Sequence, residues 1–117
     1  MKKIISLCKN FEFQRLYRRG KSIVKPSFVI YSLNGRQDQT RLGLTAGKKV
    51  GNAVCRNRAK RRLRELFRVM QPDIKKGYDI CLVARTRALS TPYDKLAADL
   101  KAALSELDLI RNEETTD

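Results

Sequence analysis

The 117-residue sequence has no histidine and no tryptophan. Without imidazole, histidine acid–base catalysis and histidine-ligated metal sites are excluded. Six glycines and three prolines leave nothing for a Gly/Pro-rich linker, and no repeat or low-complexity tract is present. The three cysteines, Cys8, Cys55 and Cys81, are odd in number and have no CxxC spacing. Cys55 and Cys81 sit inside apolar patterns, where a reduced thiol acts as a small hydrophobe. This usage predicts a cytoplasmic chain without structural disulfides. The N-terminal "MKKIISLCK" is too short in its apolar part for a secretion signal, and no run approaches the ~20 apolar residues of a membrane span.

Acid is scarce through most of the chain. Residues 1–90 hold 23 Lys/Arg against 5 Asp/Glu, whereas residues 91–117 hold 3 against 7, giving +14 in total. A body this basic repels itself unless it meets a polyanion, which favours nucleic acid over an anionic membrane surface. With 42% apolar residues the chain still carries enough for a core. The expectation is one RNA-binding domain over 1–117, with 1–8 and 111–117 as flexible tails.

Hydrophobic periodicity orders the elements as α-β-β-β-α-β-α. In "KNFEFQRLYRRG", Asn10 reads as an N-cap and Gly20 as a helix stop, with Phe13, Leu16 and Tyr17 on one face. "SIV" and "SFVIYSL" read as strands interrupted by Lys25-Pro26, with Val29, Tyr31 and Leu33 facing one way and Phe28 and Ile30 the other. "NGRQDQ" reads as a turn into an antiparallel "TRLGLTA", and "YDICLVA" as a strand covered on both faces. In the last helix Thr91 reads as the cap, Pro92 as the first helical residue, and Tyr93, Leu96, Ala97, Leu100, Leu104 and Leu107 as the buried stripe. The class is α/β: a four-stranded mixed sheet with packed helices, in which strand 41–46, helix 53–70 and strand 78–84 make a βαβ crossover.

The segment "KKVGNAVCRNRAKRRLRELFRVMQP" concentrates the charge. Asn52 can cap its helix, and Pro72 disfavours helical geometry at Gln71. Cys55, Ala59, Leu63, Leu66, Phe67 and Met70 fall in an arc of roughly 120° that can dock on a sheet. Arg56, Lys60, Arg64 and Arg68 line one flank, Arg58 and Arg62 the other, and Arg61 lies outermost. Like charges at i,i+4 spacing each cost a few tenths of a kcal/mol, so a merely solvated face would intersperse acids. The only acid here is Glu65. Arginine dominates, which suits bidentate contact with phosphate. No helix-turn precedes this helix and Pro72 ends it before any zipper, so RNA is favoured over duplex DNA.

Catalytic constellations are missing. "GLTAGKK" has too few residues between its glycines for a phosphate-binding loop, and Lys49 stands where Ser/Thr would hold magnesium. The scattered acids before Thr91 give a two-metal nuclease site little to be built from. No catalytic residue and no protein metal site are expected. Periodicity reads Phe13, Tyr17 and Tyr31 as core; stacking platforms for single-stranded RNA are the alternative, because each stands beside Lys/Arg.

"GLTAGKKVGNAVCRNRAKRRLRELFR" resembles the signature of the protein subunit of bacterial ribonuclease P, with the R-N-R motif at Arg56-Asn57-Arg58. "NFEFQRLYRRG", "FVIYSL" and "DICLVAR" extend the similarity over residues 9 to about 108. Tyr17 stands where that family usually has an aromatic residue, often Phe, and the N-terminal tail is short. The resemblance implies an α/β sandwich like a ribosomal protein domain, with a left-handed βαβ crossover. It implies an accessory subunit, one per catalytic RNA, in an endonuclease that removes the 5′ leader of precursor tRNA with Mg²⁺ bound mainly by the RNA. It assigns Lys48, Lys49, Arg56, Asn57, Arg58, Lys60, Arg61 and Arg64 to RNA contact, with Asn52 in the motif's lead-in and Arg68 continuing the flank. It assigns Phe13, Tyr17, Val29 and Tyr31 to a leader cleft. A ribosomal or RNA-chaperone protein using the same surface is the competing reading.

Overall fold

Alternation in the most apolar strand organises the molecule. In the computed structural model, which describes residues 5–7, 9–35 and 38–111, Tyr78–Ala84 (β5) lies at the centre of a five-stranded sheet ordered β1-β4-β5-β3-β2. Its neighbours are Phe28–Asn34 (β3), antiparallel, and Arg41–Ala46 (β4), parallel. Lys21–Val24 (β2) forms one edge against β3, and Ile5–Ser6 (β1) the other, parallel to β4. Ile80, Leu82 and Ala84 point to one face, while Cys81 and Val83 point to the other. A strand covered twice belongs in the interior of a sheet.

Two expectations change here. The sheet has five strands rather than four, because Ile5–Ser6 pairs with Arg41 and Leu42 and carries Leu7 into the core. A tail over 1–8 is therefore too long: residues 5–7 are part of the fold, and the rest of both expected tails lies outside the described residues, apart from Arg111, whose N–H donates to the Asp73 carbonyl. Nor do β3 and β4 form a hairpin. They run in opposite directions, but β5 is inserted between them. The connection, residues 35–40, exceeds the two-residue loop that would enforce direct pairing.

The helix Ala53–Met70 (α2) makes the crossover from β4 to β5. Asn52 caps it as expected, its side chain accepting from the Cys55 N–H at 3.0 Å. Ala59, Leu63, Leu66 and Phe67 are fully buried, with Met70 partly so, and dock against Ile30, Leu42, Ile80 and Leu82. Each large side chain contributes about 1.5–3 kcal/mol. The α-helix ends at Met70, before Pro72 as expected, but Gln71 keeps helical geometry and leads into a 3₁₀ turn, Gln71–Asp73, that contains Pro72. Tyr93–Glu106 (α3) packs on the same face through Leu96, Leu100, Ala103 and Leu104. Its start differs from expectation: the Thr91 hydroxyl donates to the Arg87 carbonyl, Pro92 takes the cap position, and Tyr93 stays 47% exposed.

Asn10–Arg19 (α1) lies alone on the opposite face, over Cys81 and Leu7. Lys9 rather than Asn10 is its N-cap, with the Lys9 N–H donating to Glu12 Oε1 at 3.3 Å. Gly20 ends the helix in extended geometry (φ −75°), so its role is not left-handed backbone. A Cβ there would stand 2.6 Å from the Leu16 carbonyl oxygen and 2.8 Å from that of Ser32. Only glycine lets the chain turn from α1 into β2 this close to β3.

Candidate RNA interface

The charge of α2 is almost free of internal neutralisation. Asn57, Arg58, Arg61, Arg64 and Arg68 are exposed, and Arg56 and Lys60 are half-buried beside the docking stripe. Lys48 and Lys49 are exposed on a 3₁₀ turn, Lys48–Val50, that leads from β4 to the Asn52 cap. Among the described residues the one carboxylate near any of them is Glu65, 4.0 Å from Arg68. A helix face this rich in cations and poor in acid attracts polyanions.

Arg62 behaves differently. Its guanidinium donates to the carbonyls of Ala88 (2.6 Å), Leu89 (3.1 Å) and Thr91 (2.8 Å). It ties α2 to the loop before α3, so one arginine of the run is structural. Position alone does not distinguish it from Arg58, one turn earlier.

The face carrying α1 has a floor made of cross-strand rows. Leu33, Asp79, Arg41 and Ile5 form one row, Ser22, Tyr31, Cys81 and Gly43 the next, and Val24, Val29, Val83 and Thr45 the last. The helix packs on Cys81, Tyr31 and Leu33 through Phe13, Leu16 and Tyr17, while Ile5 at the edge stays 39% exposed. Phe13 lies on Gly43, where a Cβ would stand 2.9 Å from the ring Cζ. Tyr17, 39% exposed, meets Tyr31 edge-on with centroids 4.9 Å apart and Phe13 at 6.4 Å. Its hydroxyl lies 3.8 Å from Cys81 Sγ. Burial pushes the Tyr17 phenol up to about 12 against the lowering effect of a hydrogen bond with Thr45, and burial pushes the Cys81 thiol up to about 11. Both are neutral near pH 7, so the Cys81 thiol is no nucleophile there.

The valine row beyond Tyr17 is left partly open, and it ends where β4 and β5 end. Lys48 and Lys49 follow β4 there, and exposed Arg85 follows β5. A part-exposed aromatic and a half-buried apolar row thus stand beside cations, the combination by which single-stranded nucleic acid can be held. The four cleft residues, Phe13, Tyr17, Val29 and Tyr31, are brought together on this face. The α2 residues are on the other.

An ion cluster fixes the cleft wall. Arg41 meets Asp79 through two 2.9 Å hydrogen bonds and Glu12 of α1 through one of 2.6 Å. The Asp79 hydrogen bonds, opposed by desolvation, hold the Arg41 guanidinium above its ordinary range. Sequence reading missed this cluster. The signal was Asp79, a lone acid inside a strand read as buried on both faces, which requires a buried cation.

A family model described as Ribonuclease P matches residues 1–108. The chain belongs to the ribonuclease P protein family. The ribonuclease P protein component of Natranaerobius thermophilus is 43% identical over 95 residues, covering 81% of this chain and 83% of that protein. That of Symbiobacterium thermophilum is 38% identical over 114 residues, covering 97% and 99%. The Staphylococcus aureus RNase P protein solved at 2.0 Å superposes with a TM-score of 0.80 at 35% identity, covering 93% of this chain and all of that one. The Thermotoga maritima RNase P protein gives 0.77 at 28%, covering 90% and 97%. A ribonuclease P protein component implies an RNA subunit as partner, and a holoenzyme that processes tRNA 5′ ends. No described helix is long and apolar enough to cross a membrane.

Proposed function

We propose that the chain binds the catalytic RNA of ribonuclease P through α2 and its Lys48-Lys49 lead-in, and holds the 5′ leader of precursor tRNA in the cleft between α1 and the sheet. The observation that carries this reading is the pairing of two surfaces. One is a ridge of mostly exposed cations whose one ion-paired carboxylate among the described residues is Glu65, and the other is the aromatic face between α1 and the sheet. One protein serves one RNA subunit, in the cytoplasm.

The RNA supplies the chemistry and holds most of the Mg²⁺. Glu12 and Asp79, carboxylates on the α1 face, are both engaged by Arg41, and among the described residues no three of Cys, Asp or Glu gather as ligands. The protein's part is electrostatic and positional. Bringing precursor, catalytic RNA and metal together crowds polyanions, and the cations of α2 lower that repulsion. The aromatic cleft orients the leader so that the scissile bond is presented to the RNA.

The isolated protein is expected to leave precursor tRNA uncut. Added to the RNA subunit, it should raise precursor affinity and lower the Mg²⁺ requirement. Cleavage by the protein with no RNA present would overturn the reading. Tyr31→Ala should weaken leader-bearing substrate more than mature tRNA; equal loss on both returns Tyr31 to a purely structural role. Binding of precursor and mature tRNA without preference, with or without the RNA subunit, would point to a general RNA-binding protein.

A further inference from the structure

The outer side of α1 has no part in the cleft or in the α2 ridge. At 100° per residue, Phe11, Arg15 and Arg18 fall within about 60° of one another, opposite Phe13. Phe11 is 66% exposed, and Arg15, Arg18 and Arg19 are exposed as well. Among the described residues none of these arginines meets a carboxylate. The one acid of α1, Glu12, is held by Arg41 on the other side. Lys9 adds a cation 5.8 Å from the Phe11 ring centroid, and Phe11, Arg15, Arg18 and Arg19 with Asn10 and Gln14 frame a shallow depression of about 420 Å³.

A solvated helix face does not need this arrangement. Like charges at i,i+3 and i,i+4 are unfavourable, and an exposed phenylalanine gains nothing from water. Position indicates the partner. Around the helix, Tyr17 faces Tyr31 in the cleft, Gln14 comes next, then Arg18 and Phe11; Glu12 lies on the far side, toward Arg41. The strip therefore begins at the cleft mouth and climbs over α1, on the sheet face opposite α2.

We propose that the outer face of α1 is a second track for single-stranded RNA, which takes the distal part of the 5′ leader after it leaves the cleft. Arg15, Arg18 and Arg19 contact phosphates, and a base stacks on Phe11. The proposal rests on the leader-cleft reading above. Continuity with the cleft favours the leader over a separate acidic protein.

The test uses holoenzyme reconstituted with the RNA subunit and precursor tRNAs whose leaders lengthen stepwise. Wild-type affinity should rise a second time once the leader outgrows the cleft. Phe11→Ala should remove that second rise, a loss of roughly 5- to 150-fold for one stacked base. Arg15→Ala, Arg18→Ala and Arg19→Ala together should flatten the log–log salt dependence by up to about 2 on long leaders only. Short-leader and mature tRNA affinities should be unchanged, and circular dichroism should confirm the fold. Equal losses at every leader length, or none at any, would sink the track. So would arginine-dependent binding of polyglutamate with long-leader affinity intact. Failure of the cleft itself reads out separately, as loss of the Tyr31 effect on short leaders.

Discussion

Arg41 and Asp79 stand opposite each other on β4 and β5 and are joined by two hydrogen bonds of 2.9 Å, with the guanidinium reaching on to Glu12. Their side chains are 15% and 5% exposed, so this is a nearly buried pair with α1 hung from it. Removing Arg41 takes both hydrogen bonds from the buried Asp79 carboxylate. Arg41→Ala should cost about 3–5 kcal/mol. In urea unfolding the midpoint should fall, and leader affinity should fall with it because α1 is one wall of the cleft. Glu12→Gln should spare most of the stability while still weakening leader binding. A stable Arg41→Ala protein with normal leader affinity would show that α1 is held by its apolar contacts alone.

Gly43 gives a second handle on the same wall. The Phe13 ring occupies the space a Cβ would need, and Leu7 Cβ lies 3.3 Å from that point. Gly43→Ala should therefore cost about 1–3 kcal/mol as overpacking and displace the ring. Phe13→Leu in the same chain should recover part of that stability, since a smaller side chain vacates the site. Thermal melts of the four members of this cycle measure the coupling. Additive effects would mean that Phe13 moves away freely.

Much of this was legible in the sequence because its signals are local. The docking stripe of α2, the Asn52 cap and the two-faced alternation of β3 and β5 follow from spacing, and the structure keeps each. What was not legible depends on partners distant in the chain. The two-residue β1 has too little sequence for a strand signal and exists only through its pairing with β4. The insertion of β5 between β3 and β4 is a choice among strands, whereas each strand's pattern describes only itself. Thr91 had a cap's identity, yet its hydroxyl finds the Arg87 carbonyl one turn back. The cleft residues were assembled by resemblance. Periodicity alone assigns Phe13, Tyr17 and Tyr31 to core, and their ring contacts place them between core and surface.

Arg62 should separate from the rest of its helix by experiment. Arg62→Ala loses hydrogen bonds to three carbonyls and should cost about 2–3 kcal/mol of stability. Arg58→Ala, Arg61→Ala and Arg64→Ala should leave the urea midpoint near wild type. Instead each should weaken RNA-subunit binding and reduce its salt slope by about 0.7–0.9 for every phosphate the side chain no longer neutralises. Arg62→Ala should weaken RNA binding only in proportion to the unfolded fraction. A reduced salt slope in a fully folded Arg62→Ala protein would place that side chain on phosphate as well.

The cleft floor should lose stability in alkali, within a defined window. Burial raises the Cys81 thiol from 9.0 to about 11, and Tyr17 from 10.0 to about 12. Between pH 9 and 11 the unfolded chain gives up the thiol proton while the folded chain keeps it. The folded state then binds more protons, so stability falls as pH rises. Tyr17 extends the same sign over pH 10 to 12, discounted because its ring is 39% exposed. The contribution is fully present below pH 9. Urea midpoints measured from pH 8 to 11 should decline in the wild type, and the decline should be shallower in Cys81→Ala. Parallel curves for the two proteins would show that the alkaline loss does not come from the thiol beneath Tyr17.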